Sequence, residues 1–95
     1  MTKTPLTAIC HNSMQLLSVH IGDFNESECE LECGPDCTSQ VFATDSRILL
    51  NLLDEKDGRT ESVPIKICSC RRAGGRWVYR IRWRSLPKLL ATRTA

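Results

Sequence analysis

Several stretches of this chain alternate apolar and polar residues with a period of two, the rhythm of a strand that buries one face. Met14 to Ile21 places Leu17, Val19 and Ile21 on one side. Glu28 to Cys33 alternates glutamate with Cys29, Leu31 and Cys33, so the thiols and the leucine share a buried face and the glutamates face water. Arg47 to Leu53 reads as a largely buried strand, because Asp54 to Gly58 ends the run after seven residues, too early for a helix. Ser62 to Cys70 alternates Val63, Ile65 and Ile67 with Pro64 and Lys66, and Pro64 predicts that this strand begins near there or lies at an edge.

Arg76 to Arg84 is the cleanest strand: Trp77, Tyr79, Ile81 and Trp83 point one way, and Arg76, Val78, Arg80, Arg82 and Arg84 the other. Gly74-Gly75 joins it to the preceding run, because glycine accepts the positive φ angles of a tight hairpin. Gly22 to Ser27 and Gly34 to Asp36 supply further turns, and Cys37 to Ser46 reads as a loop or a short edge strand with Val41 and Phe42. Residues 1–13 lack a pattern and read as a flexible arm. Ser85-Leu86-Pro87 ends the last strand, Lys88 to Ala91 fits one helical turn, and residues 91–95 read as a disordered tail. Five or six short strands joined by short turns predict one mainly all-β domain over residues 14–90, a small antiparallel barrel or a strongly curved sheet.

Composition agrees with a folded domain. The 95 residues are 41% hydrophobic and 25% charged, ordinary for one globular unit. No apolar run is long enough to span a bilayer and no secretory signal is visible, so a cytoplasmic location without membrane insertion is expected. The net charge of +2 hides an asymmetry. Residues 1–50 hold two basic and seven acidic side chains, and residues 51–95 hold eleven basic and four acidic. Such halves either neutralise each other across strands or leave a basic patch for an acidic partner.

The chemistry on offer is thin. Cys10, Cys29, Cys33, Cys37, Cys68 and Cys70 admit metal or disulfide readings, but Cys68-Ser-Cys70 is too tight for a zinc knuckle. The alternation around Cys29 favours cysteine as a small core hydrophobe, so no metal is expected. His20 lies opposite Val19 and Ile21, on the solvated side. The chain has no phosphate-cradling Gly-x-x-x-x-Gly-Lys loop, no Gly-x-Ser-x-Gly elbow and no Cys-x-x-Cys pair. A non-enzymatic binding role is therefore expected, with no catalytic residue.

Val19 to Leu31, with its Asp23-Phe24-Asn25-Glu26-Ser27-Glu28 turn, resembles the strand, Asp-x-Ser-x-x-Gly turn and strand of the PilZ domain. The order of strands and turns over residues 14–90, closing on Ser-Leu-Pro, is similar to that family too. The resemblance implies a six-stranded β-barrel, a bacterial signalling setting and a cyclic di-GMP site at Asp23 and Asn25. It also implies weak or absent binding. The family's Arg-x-x-x-Arg element has no counterpart, since no arginine precedes Arg47, and Glu28 sets a carboxylate where phosphates would approach. Members with incomplete motifs act as adaptors, so a protein partner is expected and no resident cofactor. The alternative is single-stranded nucleic acid held by Arg76, Arg80, Arg82 and Arg84, which equally form the candidate patch for a protein partner. Against both stands pairing of that arginine row with Glu28, Glu30 and Glu32.

Overall fold

A computed structural model describes residues 6–33 and 42–91. Six antiparallel strands form a closed barrel: β1 (Leu6–His11), β2 (Leu16–Phe24), β3 (Glu28–Cys33), β4 (Arg47–Asp54), β5 (Thr60–Ala73) and β6 (Arg76–Arg82). Around the barrel the order is β1, β2, β3, β6, β5, β4, with β4 returning to β1. Two three-stranded meanders are thus sewn together along β3 with β6 and β1 with β4. A barrel this narrow has room inside only for side chains. They come from every strand, with Leu31, Leu50, Ile67, Tyr79 and Ile81 at 0–1% exposure.

Helix α1 (Lys88–Ala91) begins just after Pro87 and buries Leu89 and Leu90 against the core. The Glu61 carboxylate accepts from the Lys88 and Leu89 N–H groups at 3.0 and 2.9 Å, which satisfies donors a helix start leaves open. β5 pairs with β6 only from Lys66 onward, so at Pro64 it is bonded to β4 alone, as a proline inside a strand requires. The Gly74-Gly75 turn has both φ angles positive, +59° and +78°.

The structure departs from the sequence reading at several places. Residues 6–11, expected within a flexible arm, form β1, and Ala8 and Cys10 are buried. β2 runs through Gly22 and Asp23 to Phe24, so the turn is shorter than expected. Its register shifts between Ile21 and Phe24, where a side chain on Gly22 would come within 3.2 Å of the Glu30 carbonyl oxygen. Arg47–Asp54 is not uniformly buried but alternates. Phe42 is a core residue outside any strand, ring to ring with Tyr79 at 6.1 Å, while Val41 and Cys37 lie outside the described residues. β6 ends at Arg82 rather than Arg84, although Trp83 remains buried. Val78, expected outside with the arginines, is 4% exposed. Ala91 closes α1 instead of opening the tail, and residues 92–95 lie outside the described ones.

Candidate functional site

The turn that carries the PilZ resemblance is built by Asn25. Its Oδ1 accepts from the Ser27 and Glu28 N–H groups at 2.9 and 2.8 Å, and its own N–H donates to the Glu28 carbonyl at 2.9 Å. Asn12 repeats this set between β1 and β2, accepting from Met14 and Gln15 at 2.8 Å and donating to the Gln15 carbonyl at 3.0 Å. One residue type thus closes two tight turns by the same local chemistry. The Asn25 carboxamide oxygen is engaged within the fold. Trp83 ties the turn down, with its N–H on the Ser27 carbonyl at 3.1 Å and its indole N–H on the Glu26 carbonyl at 3.0 Å.

A cavity of about 220 Å³ beside this turn brings Asp23 and Asn25 together with Phe24, Glu28, Glu30 and Arg80. Two of the sequence's candidate groups therefore meet here: the turn residues and one arginine of the β6 row. The lining holds three carboxylates and one guanidinium, a formal balance of −2. That sign opposes a doubly anionic ligand.

Arg80 lies 3.9 Å from Glu28 and 3.6 Å from Glu30, Arg82 lies 3.4 Å from Glu28, and Arg71 lies 2.9 Å from Glu30. Cross-strand register explains the pairing, because Glu28 stands opposite Arg82 and Glu30 opposite Arg80. Two of the four arginines in the expected patch are thus engaged by β3. Arg76 sits at the hairpin tip opposite Ala73 and Arg84 lies beyond the end of β6, so the row does not act as one surface. Lys66 stands opposite Arg82 on one side and Arg47 on the other, which lines three cations across β6, β5 and β4. Asp45, 3.8 Å from Lys66, offsets part of that charge.

The far side of the barrel has a different character. Outward rows read from register are Leu16, His11, Leu49 and Pro64, then Ser18, Ile9, Asn51 and Ser62, then Thr7, Leu53 and Thr60. None of these side chains is an acid, lysine or arginine. Leu16 and Leu49 are 70% and 39% exposed, and Met14 at the β1–β2 turn is 89% exposed. Three polar side chains of this wall bond to one another: Asn51 Nδ2 donates to His11 Nε2 at 2.9 Å, and Ser62 Oγ donates to Asn51 Oδ1 at 2.8 Å. Sequence reasoning misses this surface because it does not recognise β1 and takes the Arg47 to Leu53 run as largely buried. The available signal is Asn51, the one polar residue inside that run, which shares its face with Arg47 and Leu49.

Cys29 and Cys33 lie in the core, as the alternation predicts, and so does Cys10, which falls in the stretch expected to be an arm. Burial pushes the Cys10 and Cys29 thiols up to about 12, so both stay protonated and unreactive at neutral pH. Among the described residues no group of three or more His, Cys, Asp or Glu is arranged to hold a metal ion. None of the described helices is long and apolar enough to cross a membrane. No protein-family model, curated protein or solved structure matches this chain.

Proposed function

We propose that this chain is a non-enzymatic, PilZ-like binding module that works through protein contacts, as a bacterial cytoplasmic signalling adaptor would, and that its contact surface is the uncharged wall of β1, β4 and β5. The observation that carries the reading is the exposure of Leu16 and Leu49 in outward rows that hold no acid, lysine or arginine. A sheet face turned to water normally carries polar residues, and apolar side chains clustered there favour burial by a partner. Resemblance to PilZ supports the adaptor role. The net negative lining beside Asp23 argues against cyclic di-GMP as the main ligand.

The test compares the wild type with Leu49→Glu. Crosslinking in cells followed by mass spectrometry is expected to recover protein crosslinks from wall residues, and the variant to lose them. Crosslinks that survive the variant overturn the reading. Calorimetry with cyclic di-GMP is expected to show no submicromolar binding, and such binding would restore the nucleotide role.

A second reading, contact with single-stranded nucleic acid, is favoured by the Arg82, Lys66 and Arg47 row, since like charges set directly opposite cost stability. It calls for affinity for an unstructured oligonucleotide that falls steeply with salt, by roughly 0.7 log units per log unit of salt for each phosphate neutralised. No binding at low salt removes it.

A further inference from the structure

We infer that the protein taken by the uncharged wall is a second copy of this chain, an inference that rests on the protein-contact reading above. The wall carries both halves of a joint. The Asn12 turn holds Met14 and Leu16 outward at 89% and 70% exposure. Beside them lies a groove of about 590 Å³, lined by His11, Arg47, Ile48, Leu49 and Pro64 among others. In a two-fold interface, residue i of one copy meets residue j of the other and the reverse contact follows by symmetry. A protruding apolar pair and an apolar groove on one wall are therefore self-complementary: each copy's Met14 and Leu16 enter the other's groove. Methionine suits the task, since its unbranched, polarizable side chain fills irregular gaps.

Charge and topology point the same way. The outward rows of the wall hold no acid, lysine or arginine, and the charges that line its two grooves, Arg47 and Glu61, are of opposite sign, so it meets itself without the repulsion that a singly charged surface would suffer. Its outward rows offer no patch of one sign for an acidic or basic partner to recognise. β1 and β4 are each hydrogen-bonded on both sides, so no strand edge is open there for a peptide to extend the sheet, and contact runs through side chains. A standard interface takes about 800 Å² from each partner, roughly one-eighth of the 6303 Å² surface, which is the scale of one barrel wall.

Sedimentation velocity tests this on the full chain from ~1 to ~500 µM, a span suited to an interface at the small end of the specific range. The wild type is expected to shift from monomer to twice the monomer mass as concentration rises. Leu16→Glu and Leu49→Glu should stay monomeric with an unchanged far-ultraviolet circular dichroism spectrum, and Glu30→Gln on the opposite wall should dimerise like the wild type. A wild type that is monomeric throughout, or wall variants that dimerise equally well, overturns the inference. A photo-crosslinking residue placed at Leu16 in cells separates this failure from that of the broader reading. An adduct to a second copy supports self-association, and an adduct to a different protein alone overturns it while protein contact stands. No protein adduct sinks both.

Discussion

The two walls of this barrel share one interior and differ in how far their outer side chains are already satisfied. On the β3–β6 side, Glu28 and Glu30 engage Arg71, Arg80 and Arg82, so an incoming anion would compete with carboxylates already in place. On the β1–β4 side Asn51 pairs with His11 and Ser62, and among the described residues Leu16 and Leu49 stay exposed. Fully burying a leucine side chain is worth roughly 1.5–3 kcal/mol, whereas an exposed ion pair is worth about 0–1 kcal/mol. The more highly charged wall is thus the less available one. Density of charge in a sequence is a poor guide to an interface unless the partners of those charges are known.

Core truncations break the comparison most severely. Leu31 faces inward from the charged wall and Leu50 from the uncharged one, both at 0% exposure. Replacing either by alanine is expected to cost about 2–5 kcal/mol in urea unfolding, with similar values for the two, because both leave a cavity in one packed interior. A Leu31→Ala cost below about 1 kcal/mol would mean that the walls do not share a core. The buried thiols give a smaller effect that appears only at alkaline pH. Cys10 and Cys29 titrate near 12 when folded and near their ordinary 9.0 when unfolded. Above pH 9 the unfolded chain therefore holds fewer protons than the native one, and stability falls as pH rises from about 9 towards 12. Thermal melts in that window, with Cys10→Ala expected to flatten the decline relative to its own neutral-pH value, check the assignment.

The interior was legible in the sequence where a period of two met a turn signal. Cys29, Leu31 and Cys33 on one face, the Gly74-Gly75 hairpin and the inward Tyr79 and Ile81 all follow from that pattern. β1 was not legible, because Thr7 and Ile9 face out while the small Ala8 and Cys10 face in, which inverts the usual weight of the two faces. Val78 misled for the opposite reason: alternation places it outside, yet it is buried. At the candidate site, Asp23 and Asn25 could be found from the turn motif. What β3 does to Arg80 could not, since it depends on which strand lies beside β6, and Glu28 and Glu30 are some fifty positions away. The uncharged wall needed β1 in place before Leu16, Leu49 and Pro64 could be seen as neighbours.

The two asparagine turns sharpen the comparison, since one serves each side of the barrel. Asn25→Ala and Asn12→Ala each leave two N–H groups without their carboxamide acceptor. Both sites are exposed and water takes over part of the bonding, so each is expected to cost about 1 kcal/mol in urea unfolding. Equal losses identify Asn25 as a turn former. A negligible loss at Asn25 beside a clear one at Asn12 would instead free that carboxamide for a ligand.

The smallest effect lies in the charged wall itself. Glu30 accepts from Arg71 at 2.9 Å and faces Arg80 at 3.6 Å, but Arg71 and Arg80 keep 57% and 52% of their side-chain surface in water. Solvent and salt screen such pairs, so Glu30→Gln is expected to cost no more than about 0.5 kcal/mol at low ionic strength and close to nothing at about 1 M salt, where the screening length is roughly 3 Å. The binding readout moves the other way. Removing Glu30's charge leaves Arg71 and Arg80 less neutralised, so the variant should bind an unstructured oligonucleotide more tightly than the wild type at low salt, with the gain vanishing as salt is added. A Glu30→Gln protein that gains no affinity for polyanions would mean that the glutamates of β3 do not mask this wall, and the contrast with β1 and β4 would then need a different cause.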